Sequence, residues 1–348
     1  MQSSTFFAPG RPTADRSDAP EALLAVCTRG LTKHYRNQWT LGVSRGIEDL
    51  NLDVHRGEVM GFLGPNGAGK TTTLKLLVGL HKATRGRAWI LGQPVEDPGS
   101  RRKLGFLPEQ PYFYDYLSGA EYLELAGRLS GLGGHEARRR ALHWLGRVGL
   151  GERPNLRLRK YSKGMLQRLG LAAALLHGPE LLILDEPMSG LDPFGRRDVR
   201  DLILEQREAG TTVLFSSHIL PDVEILCDRV AIVMRGSLER IATVGELVRE
   251  SGQRIEIRCS GRPDLQVPSR LADCLRHHTR PHETVLSLDR EDRLHEVLEW
   301  LLASGVDVRA VTPQRASLEE LFMAAAAGSA GGPAEAARED AMPQRRSA

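Results

Sequence analysis

The sequence lacks the features that would place it in a membrane or in an oxidising compartment. No uninterrupted apolar run approaches the roughly 20 residues that a transmembrane helix needs. The N-terminus has no basic region followed by an apolar core, which argues against a signal peptide. Cysteine is sparse: Cys27, Cys227, Cys259 and Cys274 form no CxxC pair and have no metal-ligand spacing. Reduced thiols in a cytosolic protein are the expectation. Neither sign of charge dominates. The 47 basic residues stand against 44 acidic ones, a net +3, so nothing calls for nucleic acid or an anionic membrane surface as partner. No internal repeat is found. What is present is 348 residues, 41% hydrophobic and 26% charged. That is the balance of a soluble globular protein with room for one large domain and a small one, or two of middling size.

Residues 1–22 are rich in Ser, Pro, Ala, Asp and Arg, and residues 327–348 in Ala, Gly, Pro and charge. Both read as mobile tails. Between them strand-like and helix-like segments alternate, which favours a layered α/β fold. Glu58–Leu63 is a short apolar run ending at a Gly-rich turn, Leu181–Leu184 is wholly apolar like a buried central strand, and Thr211–Ser216 starts β-branched and ends polar. Helical patterns over Gly119–Arg128 and His135–Val148 suggest a helical insert, placed at about 110–178. Beyond residue 250 the character changes. Strands are expected at Arg254–Cys259, Val285–Leu288 and Val306–Val311, and helices at Leu294–Leu302 and Leu318–Met323. These form a small α+β accessory domain over 251–326, after a larger α/β domain over 23–250. Arg and His between Arg270 and His282 read as a solvated basic face.

Gly64-Pro65-Asn66-Gly67-Ala68-Gly69-Lys70-Thr71 fits the phosphate-loop pattern G-x-x-x-x-G-K-[ST]. An apolar strand precedes it, and Thr72–Leu80 reads as a helix. Glycines let the backbone wrap closely and point successive N–H groups at phosphate oxygens. The following helix adds the positive end of its dipole. Lys70 can reach the β- and γ-phosphates and the Thr71 hydroxyl can ligate Mg²⁺; Thr72 extends the nucleotide-facing set. ATP with Mg²⁺ is therefore the expected ligand. The strand Leu181–Leu184 ends in Asp185-Glu186-Pro187. Alone, such an acid pair reads equally well as a solvated turn. Beside a phosphate loop, Asp185 suits the metal and Glu186 can polarise the attacking water.

Tyr161-Ser162-Lys163-Gly164-Met165, about 20 residues before Asp185, resembles the signature motif of ATP-binding cassette (ABC) ATPases. The common form is Leu-Ser-Gly-Gly-Gln. This chain keeps Ser162 and Gly164, and carries Lys163 and Met165 at the other two places. That variant is similar to the subfamily paired with type 2 export permeases. Ser189-Gly-Leu-Asp192 resembles the family's D-loop, and His218, in Ser216-Ser-His218, its switch histidine. Tyr35 stands where the family places an aromatic that stacks on adenine. The resemblance spans roughly residues 25–250. The family's Q-loop residue falls on Glu109 or its neighbour Gln110, either of which could sense metal or water.

The resemblance implies a phosphate-loop nucleotide-binding domain with a helical subdomain, two copies of which stack head to tail around two ATP. The pair can be a homodimer or a heterodimer. The phosphate loop of one copy then faces Ser162 and Gly164 of the other. His218 would contact the γ-phosphate and align water with Glu186; a plain polar loop residue is the alternative. Tyr112, Phe113, Tyr114 and Tyr116, directly after the Q-loop, suit contact with an integral membrane permease, or else packing under the helical subdomain. The expectation is an ATPase, peripheral on the cytoplasmic face of the membrane. A soluble ABC ATPase acting on cytosolic machinery and a non-hydrolysing regulatory module are the alternatives; Glu186 and His218 argue against the second.

Overall fold

The structure is a computed structural model that describes residues 23–36, 43–250, 253–260, 267–280, 283–288 and 291–315. Both expected tails, His282 and the helix expected at Leu318–Met323 lie outside the described residues. The chain divides into two compact units, Met1–Ile241 and Ala242–Ala348.

Strands β1 (Leu24–Arg36), β2 (Val43–Leu50) and β3 (Asp53–His55) come first, then β4 (Val59–Leu63), helix α1 (Lys70–Leu77), β5 (Arg85–Ile90), β6 (Gln93–Pro94) and β7 (Leu104–Leu107). Helices α2 (Gly119–Leu129), α3 (Gly134–Arg147) and α4 (Lys163–Leu175) lead to β8 (Leu181–Asp185). After these come α5 (Pro193–Glu208), β9 (Thr212–Ser217), α6 (Leu220–Leu226), β10 (Arg229–Met234) and β11 (Ser237–Thr243).

Two sheets result. One has the order β11-β10-β4-β9-β8-β7, with β10, β4, β9, β8 and β7 mutually parallel. The other is antiparallel, β2-β1-β5-β6 with β3 on β1. Helix α1 lies between them. Its Leu74, Leu76 and Leu77 share a core with Val26, Ile47 and Ile90 of the antiparallel sheet and with Phe62, Ile183, Leu214 and Val233 of the parallel one. Full burial of such side chains stabilises by roughly 1.5–3 kcal/mol each. The alternate residues Leu182, Leu184, Val213 and Phe215 are buried too, and α5 and α6 pack against β9. The parallel strands are thus apolar throughout because both faces are covered.

The helix expected at Thr72–Leu80 begins at Lys70 and ends at Leu77. Gly79, at φ 74°, takes the left-handed conformation that commonly closes a helix. The expected helical insert is α2, α3 and α4, which pack on one another. Helix α2 starts with a reciprocal capping box: Ser118 Oγ accepts from Glu121 N, and Glu121 Oε2 accepts from Ser118 N at 2.8 Å.

The second unit contains α7 (Val244–Glu250), β12 (Gln253–Ser260), β13 (Leu275–Arg280), β14 (Glu283–Leu288), α8 (Leu294–Ala303) and β15 (Val308–Arg315). The strands form an antiparallel sheet in the order β13-β14-β12-β15. Ile255, Ile257, Leu286 and Leu288 bury against Val297 and Leu301 of α8. The segment from Arg270, read as a solvated basic face, contains a strand. Leu275 is buried while Arg276, His277 and His278 are exposed, so β13 is held by its ladder to β14 with little apolar signal of its own. The strand expected at Val306–Val311 lies further on, and Val306 is buried ahead of it.

Candidate functional site

Strand β4 delivers the chain into a loop whose glycines are required by close contacts. A Cβ at Gly64 would stand 2.4 Å from Val233 O, and one at Gly69 would stand 2.6 Å from Gly46 O. Gly69 also has φ 103° and precedes α1 with no side-chain cap, so the first-turn N–H groups of α1 face the loop without a side chain claiming them. Ala68 N closes the turn onto Pro65 O at 3.1 Å. Lys70 is 6% exposed. Its Nζ donates to Gly64 O at 2.7 Å and Pro65 O at 3.3 Å, and stands 3.6 Å from Glu186 Oε1.

The parallel register sets Asp185 at the end of β8 beside Ser216 on β9. Ser216 Oγ donates to Asp185 Oδ1 at 2.6 Å and accepts from Glu186 N at 2.9 Å. Asp185 is 1% and Glu186 8% exposed. Glu186 has φ 49°, a strained value for a residue with a side chain. His218, half-exposed beyond β9, brings Nδ1 to 2.8 Å from Glu186 Oε2.

Lys70, Glu186 and His218 line a cleft of about 430 Å³ with Pro65, Asn66, Gly67, Gly69, Thr71 and Thr72, whereas the buried Asp185 is not part of its lining. Tyr35 on β1 forms its far wall; its hydroxyl lies 3.3 Å from Thr72 Oγ1 and its ring meets the edge of His81. Of the two Q-loop candidates, Glu109 lines the cleft and Gln110 does not. Sequence reasoning missed Ser44, Arg45 and Gly46 of β2 and Ser189, all of which line it. For β2 no motif could have signalled them. Ser189 opens the segment resembling a D-loop.

Ser162, Gly164 and Asp192 are not brought to this cleft. Ser162 is exposed and caps α4, accepting from Met165 N at 3.2 Å. Asp192 caps α5, accepting from Gly195 N at 2.7 Å. The aromatic loop divides. Tyr112 is 97% exposed and Tyr114 and Tyr116 are exposed as well, whereas Phe113 turns inward, edge-on to Tyr122 of α2 with centroids 4.9 Å apart. Phe113 is partly buried and takes the other reading given for this loop, packing under the helical insert.

Among the described residues, no three His, Cys, Asp or Glu side chains form a metal-binding group. The hydroxyl of Thr71 and the carboxylate of Glu109, both on the cleft, and the buried carboxylate of Asp185 at the end of β8 are nonetheless hard oxygen donors. That set fits Mg²⁺, which usually takes one or two carboxylates, waters and substrate phosphates.

Fold and site together define a phosphate-loop ATPase. Residues 47–189 match the family model described as ABC transporter. An ABC transporter ATP-binding protein of Synechocystis is 45% identical over 68% of this chain and 68% of its own length. The bacitracin transport ATP-binding protein BcrA of Bacillus licheniformis is 34% identical over 86% and 96%. A solved ATP-binding cassette, a dimer in a post-hydrolysis state with ADP and Pi, superposes with a TM-score of 0.59 at 28% identity, over 63% of this chain and 98% of that one. The chain belongs to the family of ABC transporter ATP-binding proteins, and it is an ATP-binding ATPase.

Proposed function

We propose that this chain is the motor subunit of an ABC exporter: two copies close head to tail on two ATP and drive a separate membrane permease. The observation that carries this reading is the split of the site within one chain. Lys70, Glu186 and His218 converge on the phosphate-loop cleft, while Ser162 and Gly164 open α4 away from it. A second copy supplies the missing face. The bacitracin transport relative supports a transport role, and the Tyr-Ser-Lys-Gly-Met variant supports export.

In this reading Tyr35 stacks on adenine, and Lys70 with the backbone N–H groups of residues 66, 67 and 69–72 holds the phosphates. Thr71, Asp185 and Glu109 would hold Mg²⁺, which would neutralise phosphate charge when bound. Glu186 takes a proton from the attacking water as its oxygen bonds the γ-phosphorus and the bond to the β-bridging oxygen breaks. His218 keeps Glu186 in line through their 2.8 Å contact. Ser162 Oγ and the first amides of α4 meet the γ-phosphate held by the other copy. Tyr112, which lines a groove of about 270 Å³ with Leu104, Phe106 and Pro111, and the exposed Tyr114 and Tyr116 receive the permease. No helix among the described residues is long and apolar enough to cross a membrane; the proposed location is peripheral, on the cytoplasmic face.

The test is Mg²⁺-dependent ATPase rate against protein concentration for wild type and Glu186→Gln. The expected result is a per-subunit rate that rises with concentration, and a loss of about 100-fold or more in the variant with ATP binding kept. Near-normal turnover in Glu186→Gln would remove Glu186 from the role. A rate independent of concentration, from a protein that sizes as a monomer, would reject the two-copy site.

A further inference from the structure

Two residues of the signature helix carry none of the roles above. They are Lys163, where the chain departs from the family pattern, and Gln167. Both lie against the turn that carries Glu186. Gln167 is 3% exposed, and its Nε2 donates to Pro187 O at 3.1 Å, a buried bond to the carbonyl of the residue after Glu186. Lys163 lies over Gly190. A Cβ at Gly190 would stand 2.7 Å from Lys163 Cε and 2.9 Å from its Nζ. Between them, a Cβ on Gly164 would stand 3.3 Å from Leu191 Cδ2. One side of the first turns of α4 therefore rests on residues 187–191.

That turn is tight and strained. Ser189 N donates to Glu186 O at 3.1 Å and Leu191 N to Met188 O at 3.4 Å. Gly190 has φ 73° and Glu186 φ 49°. A side chain in the left-handed region persists only when its surroundings hold it there. On one side Ser216 Oγ fixes Glu186 N at 2.9 Å. On the other side the described polar hold on the turn from α4 is the Gln167 amide.

We propose that Gln167 is a positioning residue that makes the orientation of Glu186 depend on the seat of α4, with Lys163 as a second brace on the same turn. The inference rests on Glu186 being the base. A displacement of a reacting group by 1 Å can cost about 100-fold in rate, so a brace on the carbonyl of the next residue has large leverage. Its consequence follows from the head-to-tail arrangement. Helix α4 presents Ser162 and Gly164 to nucleotide held by the other copy, so loading one site bears on the base that serves the other, which is the form a coupling free energy between sites takes.

A buried bond that merely stabilises the fold would behave differently, and a double-mutant cycle separates the two. Turnover is measured for wild type, Gln167→Met, Glu186→Gln and the double variant in the full chain, with release of radiolabelled phosphate resolving low residual rates. ATP affinity is measured alongside. Gln167→Met is expected to lower kcat about 10-fold or more with ATP affinity within about 2-fold, and to add less than about 2-fold to the loss already caused by Glu186→Gln, because effects passing through one group do not multiply. Wild-type kcat in Gln167→Met, or a multiplicative loss in the double variant, overturns the inference. Where Gln167→Met does not fold, Lys163→Gly is read instead. A lowered kcat restored by Lys163→Arg supports the brace, and an unchanged kcat overturns it. Undiminished turnover in Glu186→Gln rejects the base assignment itself, a failure distinct from that of the brace.

Discussion

The chain opens two helices at positions where phosphate is expected, α1 after the phosphate loop and α4 at the signature, and the two ends are built differently. At α1 the capping position is a glycine with φ 103° and no side-chain cap, Lys70 is folded inward and buried, and acid groups from two neighbouring strands close the cleft. At α4 the capping position is Ser162, whose hydroxyl accepts from Met165 N, and Ser162 and Lys163 are exposed. Side-chain caps stabilise a helix end by about 1 kcal/mol. One end gives up that cap and keeps bare N–H groups for a ligand. The other keeps the cap and waits at the surface. The difference teaches that a helix N-terminus becomes a phosphate site by what surrounds it, and that only the first of these ends has its surroundings within one chain.

Substitutions at each end would sharpen or break this contrast. Gly64→Ala forces a methyl to within 2.4 Å of the Val233 carbonyl; overpacking against backbone costs about 1–3 kcal/mol. ATP affinity, followed with a fluorescent analogue, should fall more than about 10-fold as the loop distorts, and unchanged affinity would show that the loop yields. Ser162→Ala should lower stability by about 1 kcal/mol through the lost cap and leave ATP binding by the separate subunit intact, while removing the rise of per-subunit rate with concentration. A weakened binding constant there would mean that α4 already touches its own chain's nucleotide. Replacing Tyr112, Tyr114 and Tyr116 together by Ala should leave basal ATPase unchanged and abolish co-purification with the permease; retained co-purification would move the docking surface elsewhere. The smallest effect concerns the scaffold behind the phosphate loop. Burial raises the Cys227 thiol well above its usual range and, with Asp53 beside it, raises Cys27 to about 11. Since the thiolate is the reactive form, both should alkylate slowly at pH 8 in the native chain and faster as pH rises toward 11. Rapid labelling at pH 8 would mean that this scaffold opens.

Legibility in the sequence followed contiguity. The phosphate loop, Asp185, Glu186 and His218 were readable because each ends a strand in a short run of residues whose chemistry is specific, and the parallel ladder then sets those ends side by side. The cleft wall from Ser44 to Gly46 was not readable, since it comes from an antiparallel sheet and carries no motif. Glu109 and Gln110 differ by one residue of register, which depends on how β7 leaves the sheet. Strand β13 was masked by its basic residues, and the end of α1 by an apolar run that continues past Gly79. The brace from Gln167 to Pro187 joins residues 20 positions apart, and only the packing of α4 on that turn brings them together.

Neighbouring parallel strands cannot be joined by a tight turn; the chain must cross over a face of the sheet to return. Strand β7 pairs directly with β8, and α2, α3 and α4 together form the connection between them. What topology requires only as a return path is here lengthened into a lever. Its arm is anchored at the rim of the sheet by β7, and farther along it carries the exposed Ser162, the serine that the proposed function offers to a second copy.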